Sequence, residues 1–514
     1  MVELLSAEAV AWMCALDGPE QVQSLLDGSL GTDTQQAVVL RLCETVAMYG
    51  ADARQRSGMS AGLAWYDPDE QATICAVYRR ACGGALASLE TDDPLEQALF
   101  LLAAECAGAA RVPSDEQMGS PWPSLRASGA HPSAQAAKEL IRKEADDSGW
   151  LTGTGEYDTC LAFSAATTGR GGSGVQLVMA VEVLLTAAVA RWSWHGPDGD
   201  TGLLVRVREV VADFRRLLTG RTANVPALLG VTGIDIEVGE TLTLPWGTLR
   251  SISESERRAQ GPGFGSASAV IEFQYPVKVF RKGFEDLDDG EMSQLRQAQE
   301  GPWETARRIA LAGQLCASEL ELPEIPRIAG TFLVIFDPAS HMPHRTWPFG
   351  GPSGAPLRLA DGVGAQLAKW ATIVEANAVP AIALGTRRTV LASQRLDPVD
   401  AFVDTIIAWE NLFGSRQGDA TLRVAASFAN LLSEGDAGAT DLFKQARDLY
   451  GLRSEVVHGS KDLDPETAWT SFQQSFGLLR RALRRLYTDR QDLLRMDSGQ
   501  RSQRLLLRSD DVAE

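Results

Sequence analysis

Between residues 397 and 490, four helical patterns joined by short links constrain the fold more than any other feature of this sequence. In the first pattern, apolar side chains recur every three or four positions, as at Phe402, Ile406 and Trp409. Asp397, followed by a proline, is a typical N-cap for that helix. Amphipathic helices with short connections bury their apolar faces best against one another. The sequence therefore predicts a four-helix bundle here.

The third helix of this bundle, predicted from about Thr440 to His458, carries a cation within its apolar stripe. Leu449 and Val456 belong to the stripe, and Arg453 occupies the position expected for the apolar residue between them. Burying an unpaired guanidinium is very costly. Arg453 must therefore be paired, face a partner surface or take part in chemistry.

His458 ends the same helix, and Gly459 follows as a natural left-handed residue after the cap. An imidazole can give or take a proton near neutral pH, and a guanidinium can hold a phosphate whose charge rises in a transition state. Positions i and i+5 of an ideal helix point about 140° apart, so Arg453 and His458 do not share one face. Either the last turn distorts at Gly459, or a site assembles from two chains across a twofold axis.

The segment from Arg453 to Gly459, Arg-Ser-x3-His-Gly, resembles the R-polar-x3–5-H signature of HEPN domains. The helical patterns at 397–413 and 420–432 fit the same family, and the whole looks most like its Apea-like group. The resemblance covers roughly residues 397–490. It implies that this region is a HEPN domain of the ribonuclease type.

The resemblance implies metal-independent cleavage of RNA, in which the ribose 2′-OH attacks the adjacent phosphate. His458 would then be the general acid or base, and Arg453 would stabilise the phosphate, with no cofactor and no metal. Ser454 fits the polar position after the motif arginine, and Glu410 on the first helix is placed to hold Arg453. The resemblance also implies a homodimer through the C-terminal helices.

By the same resemblance, the chain is expected to be a regulated effector of antiphage defence, or a toxin, in the cytoplasm. Its N-terminal region would restrain the ribonuclease until a phage or protein trigger arrives. The residues leave a second interpretation open, in which Arg453 pairs with Glu410 only to fix the bundle and His458 simply ends a helix. The chain would then be a non-catalytic HEPN scaffold or binding module for a protein or nucleic-acid partner.

Arginine is concentrated after position 480 in an otherwise acidic chain. Residues 480–508 contain nine arginines and three aspartates, whereas the whole chain has a net charge of −19. Arginine can contact phosphates and stack on bases, so four arginines of the fourth helix are candidates for RNA binding. They are Arg480, Arg481, Arg484 and Arg485. The alternative is a solvated helix end, or pairing with acidic surfaces of the same chain.

The chain as a whole predicts a mainly α multidomain protein of the α+β class. The predicted units are a helical N-terminal domain (1–148), a glycine-rich connection with helices (149–222), a β-rich middle domain (223–350), a linker with a helix (351–396), the HEPN-like four-helix bundle (397–490) and an Arg-rich, then acidic tail (491–514). Period-two patterns at 234–238 and 271–279, and an apolar run at 331–336, predict strands of the middle domain.

Residues 153–174 are rich in glycine and precede an apolar helix. Such a loop can bind phosphate on free backbone N–H groups, but no P-loop lysine follows and no clear strand precedes it with G-x-G-x-x-G spacing. We interpret it as a flexible connection, with a nucleotide or anion site as the alternative. His341 and His344 form an H-x2-H pair, which is too few ligands for zinc.

Several bulk properties limit the class of protein. The seven cysteines are scattered, odd in number and without a C-x2-C pair, which favours a reducing cytoplasm over a disulfide framework. The N-terminus lacks the basic start and apolar core of a signal peptide. The apolar run 175–192 contains Glu182 and Arg191, so we expect a buried helix and no membrane. The negative net charge argues against coating of nucleic acid but allows a local basic site.

Overall fold

The structure, a computed structural model, describes residues 1–49, 56–112, 129–155, 157–169, 171–194, 199–253, 256, 267–340, 344–346, 354–415, 419–433 and 436–507. Within these residues the protein has a mixed α+β fold that is mainly helical, as the sequence predicts. Its largest sheet lies in the middle of the chain, between two sets of helices in sequence order.

The first part of the chain is built from short helices. They are α1 (Val2–Leu5), α2 (Ala7–Met13), α3 (Val22–Leu26), α4 (Asp33–Tyr49), α5 (Arg56–Leu63), α6 (Ile74–Ala81), α7 (Pro94–Glu105), α8 (Ala107–Ala110) and α9 (Pro132–Asp147), with a 3-10 turn at Pro19–Gln21. A small hairpin of β1 (Tyr66–Asp67) and β2 (Ala72–Thr73) precedes α6 within this mainly helical region. The Asp67 carboxylate accepts hydrogen bonds from the N–H groups of Asp69 and Glu70 and so forms the turn.

The glycine-rich stretch is an antiparallel hairpin, so its interpretation as a flexible connection is wrong. β3 (Thr159–Ala166) pairs with β4 (Gly171–Gln176). A Cβ atom at Gly174 would lie 2.8 Å from the carbonyl oxygen of Leu161, so the close strand pairing requires glycine. The hairpin geometry thus accounts for this glycine without an anion site.

Two long helices follow the hairpin, α10 (Leu177–Trp194) and α11 (Gly199–Leu218). By length and composition alone, α10 could cross a membrane, but 78% of it is buried inside the protein. That burial is typical of a core helix, which is what the sequence predicts for this run.

The strands of the middle region are β5 (Ala223–Thr232), β6 (Ile234–Asp235), β7 (Thr241–Leu244), β8 (Gly247–Ser251), β9 (Ala269–Val277), β10 (Val279–Phe280), β11 (Ala329–Ile335), β12 (His344–Thr346) and β13 (Leu357–Arg358). Within the described residues, six of them form the central sheet in the order β12-β11-β5-β9-β8-β7, and all neighbours are antiparallel. The buried strand expected at 331–336 is present as β11. The strand expected over 234–238 is only the two-residue β6, which pairs with β13. Strand β10 pairs with β3 and so adds a third strand to the β3–β4 hairpin.

Three further helices pack against this sheet or beside it: α12 (Asp289–Glu319), α13 (Val363–Ala376) and α14 (Pro380–Gln394). The N-terminus of α12 is fixed by a capping box, in which Asp288 and Glu291 each accept the other's backbone N–H. The linker with a helix predicted over 351–396 contains two helices, α13 and α14.

The C-terminal region contains the four predicted helices and two more. They are α15 (Pro398–Phe413), α16 (Ala420–Leu432), α17 (Asp436–Val457), α18 (Pro465–Thr488), α19 (Gln491–Leu494) and α20 (Ser498–Leu507). Residues 491–507 are therefore not a tail. Arg501 is fully buried and donates hydrogen bonds to the carbonyls of Leu412 at 2.5 Å and Leu493 at 2.9 Å, which fixes α20 on the helices before it.

Side chains of the central sheet enter two hydrophobic cores. Val225 and Tyr275 belong to a core shared with the N-terminal helices, whereas Leu229 and Ile271 belong to a second core. This second core continues through α12, α13 and α14 into the C-terminal helices, as Trp409 shows by its complete burial there. The C-terminal helices therefore share apolar contacts with the segments before them.

Candidate functional site

Helix α17 stays regular up to the candidate histidine. The backbone N–H of His458 donates to the carbonyl of Ser454 at 3.1 Å, the i→i−4 bond of an α-helix. Gly459, at a φ of 68°, and Ser460 then donate back to carbonyls of the last turn in a Schellman motif. His458 is therefore the C-cap residue of an undistorted helix.

The imidazole of His458 lies at the protein surface. It makes no side-chain hydrogen bond or ion pair with any residue in the described part of the chain. Its neighbour Val457 is also exposed, at 51% of its surface. Both ring nitrogens of His458 are thus free to meet a ligand or a second chain.

Arg453 is half-buried beside the first of the four helices. Its Nη2 lies 3.6 Å from Oε2 of Glu410, and the other carboxylate oxygen of Glu410 accepts a hydrogen bond from the hydroxyl of Tyr450 at 2.7 Å. Burial and this hydrogen bond raise the pKa of Tyr450, which keeps the hydroxyl protonated as a donor. The buried Nε of Arg453 has no hydrogen-bond partner among the described residues. Glu410 therefore holds the Arg453 guanidinium, while the Nε donor of Arg453 is not satisfied by any described residue.

Within one chain, the regular helix keeps the two motif residues on different faces. Because no distortion precedes Gly459, the side chains at 453 and 458 point about 140° apart. Local distortion, the first of the two alternatives drawn from the sequence, is therefore wrong. Ser454 is half-buried next to Arg453, and its carbonyl accepts the bond from His458. A site that uses both side chains on one phosphate requires a second copy of the helix.

Two of the four candidate RNA-binding arginines are engaged within the protein. Arg485 forms an ion pair with Asp489, and Nη1 of Arg484 donates to the carbonyl of Ser318 on α12 at 3.0 Å. Arg481 is exposed. The row of arginines is therefore not one open basic surface.

Arg480 is different, because it is half-buried and short of partners. Its guanidinium lies 5.5 Å from the ring centre of Phe476, and Nε and Nη1 have no hydrogen-bond partner in the described part of the chain. Burial, with the nearby charge of Arg484, lowers the pKa of Arg480 to about 10. Arg481 is thus the member of this group best placed to receive an anion at the surface.

The structure contains a pocket of about 710 Å³ between α11 and the central sheet, which the sequence did not predict. The lining includes Arg191, Trp194, Asp213 and Trp246. One signal was available in the sequence, since Arg191 is a lone cation in the apolar run of α10. Its partner in the structure is Asp213, at 2.8 Å, on the next helix.

Among the described residues, no group of three or more His, Cys, Asp or Glu side chains is arranged to hold a metal ion. His341 lies outside the described residues, as does the side chain of His344. No protein-family model, no curated protein and no solved structure matches this chain. Function must therefore be argued from the sites themselves.

Proposed function

We propose that this chain is a HEPN-type, metal-independent endoribonuclease whose active site lies on a C-terminal four-helix bundle, residues 397–490. The observation that carries the proposal is the exposed imidazole of His458 on the same helix as Arg453, whose guanidinium is held by Glu410. RNA cleavage without a metal needs a group that moves a proton and a cation that binds the phosphate. His458 and Arg453 are of these two types.

In the proposed reaction, a base takes the proton of the ribose 2′-OH, and the 2′-oxygen attacks the adjacent phosphorus. The bond to the 5′-oxygen breaks, and an acid protonates that leaving oxygen. The products are a 2′,3′-cyclic phosphate and a 5′-hydroxyl. Arg453 stabilises the charge that builds on the phosphate, while Ser454 orients a group beside it. Requiring the 2′-OH selects RNA over DNA.

The mechanism needs both an acid and a base, yet residues 397–490 contain one histidine. We infer that two chains form a homodimer through their C-terminal helices and pair their His458 side chains across a twofold axis. The divergent directions of Arg453 and His458 support this arrangement, because the arginine of one chain can then face the histidine of the other.

In this proposal the upstream residues, 1–396, hold the ribonuclease inactive in the cytoplasm until a phage or protein trigger is sensed, as an antiphage effector or toxin requires. The core that α12, α13 and α14 share with the C-terminal helices supports such control. A shift of these helices would be felt directly by α18, through the bond from Arg484 to Ser318.

A second candidate is a non-catalytic HEPN scaffold that binds a protein or nucleic acid. The favouring observation is that Arg453, Arg484 and Arg485 all have partners within the protein. In this case Arg453 serves to fix α17 on α15, and the surface around His458 is a docking site.

The test is cleavage of labelled single-stranded RNA and transfer RNA in EDTA by the full-length protein. A C-terminal fragment is not used, because the C-terminal helices share a hydrophobic core with the helices before them. We expect cyclic phosphate ends, and at least a ~100-fold loss of rate in His458→Ala. Lys461→Ala is the matched control, because Lys461 is exposed three residues further on. Cleavage that survives in His458→Ala, or that needs a metal, would contradict the proposed site.

Mixing an inactive variant with the native protein tests the dimer. If the two His458 side chains of a dimer act as acid and base, an excess of His458→Ala converts native chains into heterodimers with one histidine, and the activity per native chain falls. If the protein arrests cell growth and the arrest persists in His458→Ala without RNA cleavage, the scaffold is the better explanation.

A further inference from the structure

The pocket between α11 and the central sheet has the size and lining of a ligand site. Its volume of about 710 Å³ falls within the range of natural small-molecule pockets. Aromatic residues line it, including Trp194, Trp246 and Phe336. Flat aromatic walls favour a planar ligand that can stack or pack edge-on against them.

The aromatic walls are held in place before any ligand binds. The rings of Trp194 and Phe336 meet edge to face, with centroids 5.7 Å apart. The indole N–H of Trp246 donates to Glu375 at 2.6 Å, and Glu375 is itself paired with Arg308 at 2.5 Å. Because these contacts hold the rings without a ligand, the pocket is pre-organised, which lowers the cost of binding.

The charged residues of the lining balance one another. It contains three arginines and three carboxylates: Arg191, Arg206, Arg216, Glu209, Asp213 and Glu272. Arg206 and Glu209 are joined at 2.8 Å, and Arg191 and Asp213 also at 2.8 Å. A pocket that demanded a phosphate would offer an excess of positive charge. This lining instead suits a neutral ligand that presents both donors and acceptors.

Two polar side chains in the lining match the edge of a heteroaromatic base. Asn224 on β5 and Gln274 on β9 both line the pocket, and side-chain amides can form paired hydrogen bonds with a purine edge. Both residues are exposed, so a ligand in the pocket can reach their amides.

We propose that this pocket binds a purine nucleoside or its free base, stacked on Trp246, with the base edge read by Asn224 and Gln274. The site is separate from His458 and does not depend on RNA cleavage. Recognition rests on the base, and phosphate groups add little, because the arginines already have carboxylate partners.

The test is calorimetric titration of the full-length protein with adenosine, guanosine, AMP and ribose 5-phosphate. We expect adenosine or guanosine to bind, AMP to bind within about threefold of adenosine, and ribose 5-phosphate to give no signal at millimolar concentration. Trp246→Ala should weaken nucleoside binding by about tenfold or more, because one stacking surface is lost. Trp246→Phe should restore most of it, and Gln274→Ala should weaken binding while leaving the fold unchanged.

Trp65→Ala is the matched control, since Trp65 is 59% exposed and lies between α5 and β1, outside the pocket lining. The proposal is overturned if neither nucleoside binds at millimolar concentration, or if ribose 5-phosphate binds as well as AMP. It is also overturned if Trp246→Ala and Gln274→Ala leave affinity unchanged, or if Trp65→Ala weakens binding as much as Trp246→Ala. Binding is measured without RNA, so the result is independent of the ribonuclease proposal.

Discussion

Two histidines at helix ends occupy opposite environments in this protein. His131, the N-cap of α9, is 4% exposed, and its Nδ1 accepts a hydrogen bond from the N–H of Ser133 at 3.0 Å. Its Nε2 lies 3.2 Å from the Glu105 carboxylate. His458, the C-cap of α17, is exposed and makes no side-chain bond of this kind with the described residues. The fold uses both nitrogens of the first ring and neither of the second.

The surroundings of His131 explain why it is structural. The buried carboxylate of Glu105 also accepts the backbone N–H of Thr73 at 3.0 Å and pairs with Arg80 at 2.8 Å. The ring of Tyr66 meets His131 edge to face at 4.8 Å. A buried polar network of this kind is stabilising only when every member is satisfied. Residue type alone would make both histidines catalytic candidates, and environment separates them.

The largest expected effect is on removal of the buried ring. His131→Ala takes away the cap of α9 and a hydrogen bond to a buried carboxylate, so we expect a loss of about 2–4 kcal/mol in the free energy of unfolding. Urea denaturation measures it. His131→Asn, which can still cap the helix, should lose about half as much. A loss below about 0.5 kcal/mol in His131→Ala would show that the network does not hold this region.

The pH dependence of the same network is the next effect. Burial raises the pKa of Glu105, but the hydrogen bonds from His131 and Thr73 and the charge of Arg80 outweigh it, so the pKa is lowered from its ordinary value of 4.5. A lowered folded pKa stabilises the protein above the unfolded value, and this stability is lost as the pH falls through the folded pKa. We expect urea midpoints to drop below about pH 4.5, with a shallower drop in Glu105→Gln. Equal slopes in both proteins would contradict this assignment.

The sequence predicts elements that depend on nearby residues better than elements that depend on distant contacts. The helices α15 to α18 follow from apolar spacing and caps, which are local. β5 escaped prediction because Pro226 and Gly230 interrupt its pattern, yet Gly230 is required, since a Cβ there would lie 2.0 Å from the ring of Phe332. That ring is about a hundred positions away in the chain.

The candidate site shows the same limit. The contact of Glu410 with Arg453 could be expected from two helices on one apolar face, and the structure places these side chains together. The bond from Tyr450 to the same carboxylate joins the same two helices. The bond from Arg484 to Ser318 could not be expected, because these residues are 166 positions apart. Arg501 resembles part of a charged tail in sequence, but hydrogen bonds to the carbonyls of Leu412, Leu493 and Met496 make its burial tolerable.

A smaller effect is expected at the half-buried Glu410 carboxylate, which contacts both Tyr450 and Arg453. Tyr450→Phe removes one hydrogen bond to Glu410 and leaves Arg453 as its remaining partner, so stability should fall by about 0.5–1.5 kcal/mol. If Arg453 serves only to fix α17 on α15, Arg453→Ala should cost a similar amount. A double variant tests this: losses that add would mean that the tyrosine and the arginine stabilise Glu410 independently.

The smallest effect on stability is expected at the exposed histidine, where the comparison is sharpest. His458→Ala removes no contact within the described protein, so the free energy of unfolding should change by no more than about 0.5 kcal/mol. Because His131 and His458 lie on helices with no shared partner, the double variant should lose the sum of the two single losses. If the loss of stability in His458→Ala depends on protein concentration, the imidazole stabilises a dimer. That result would favour pairing of two His458 side chains before RNA binds. A stability that is unchanged at every protein concentration would leave the imidazole free for substrate.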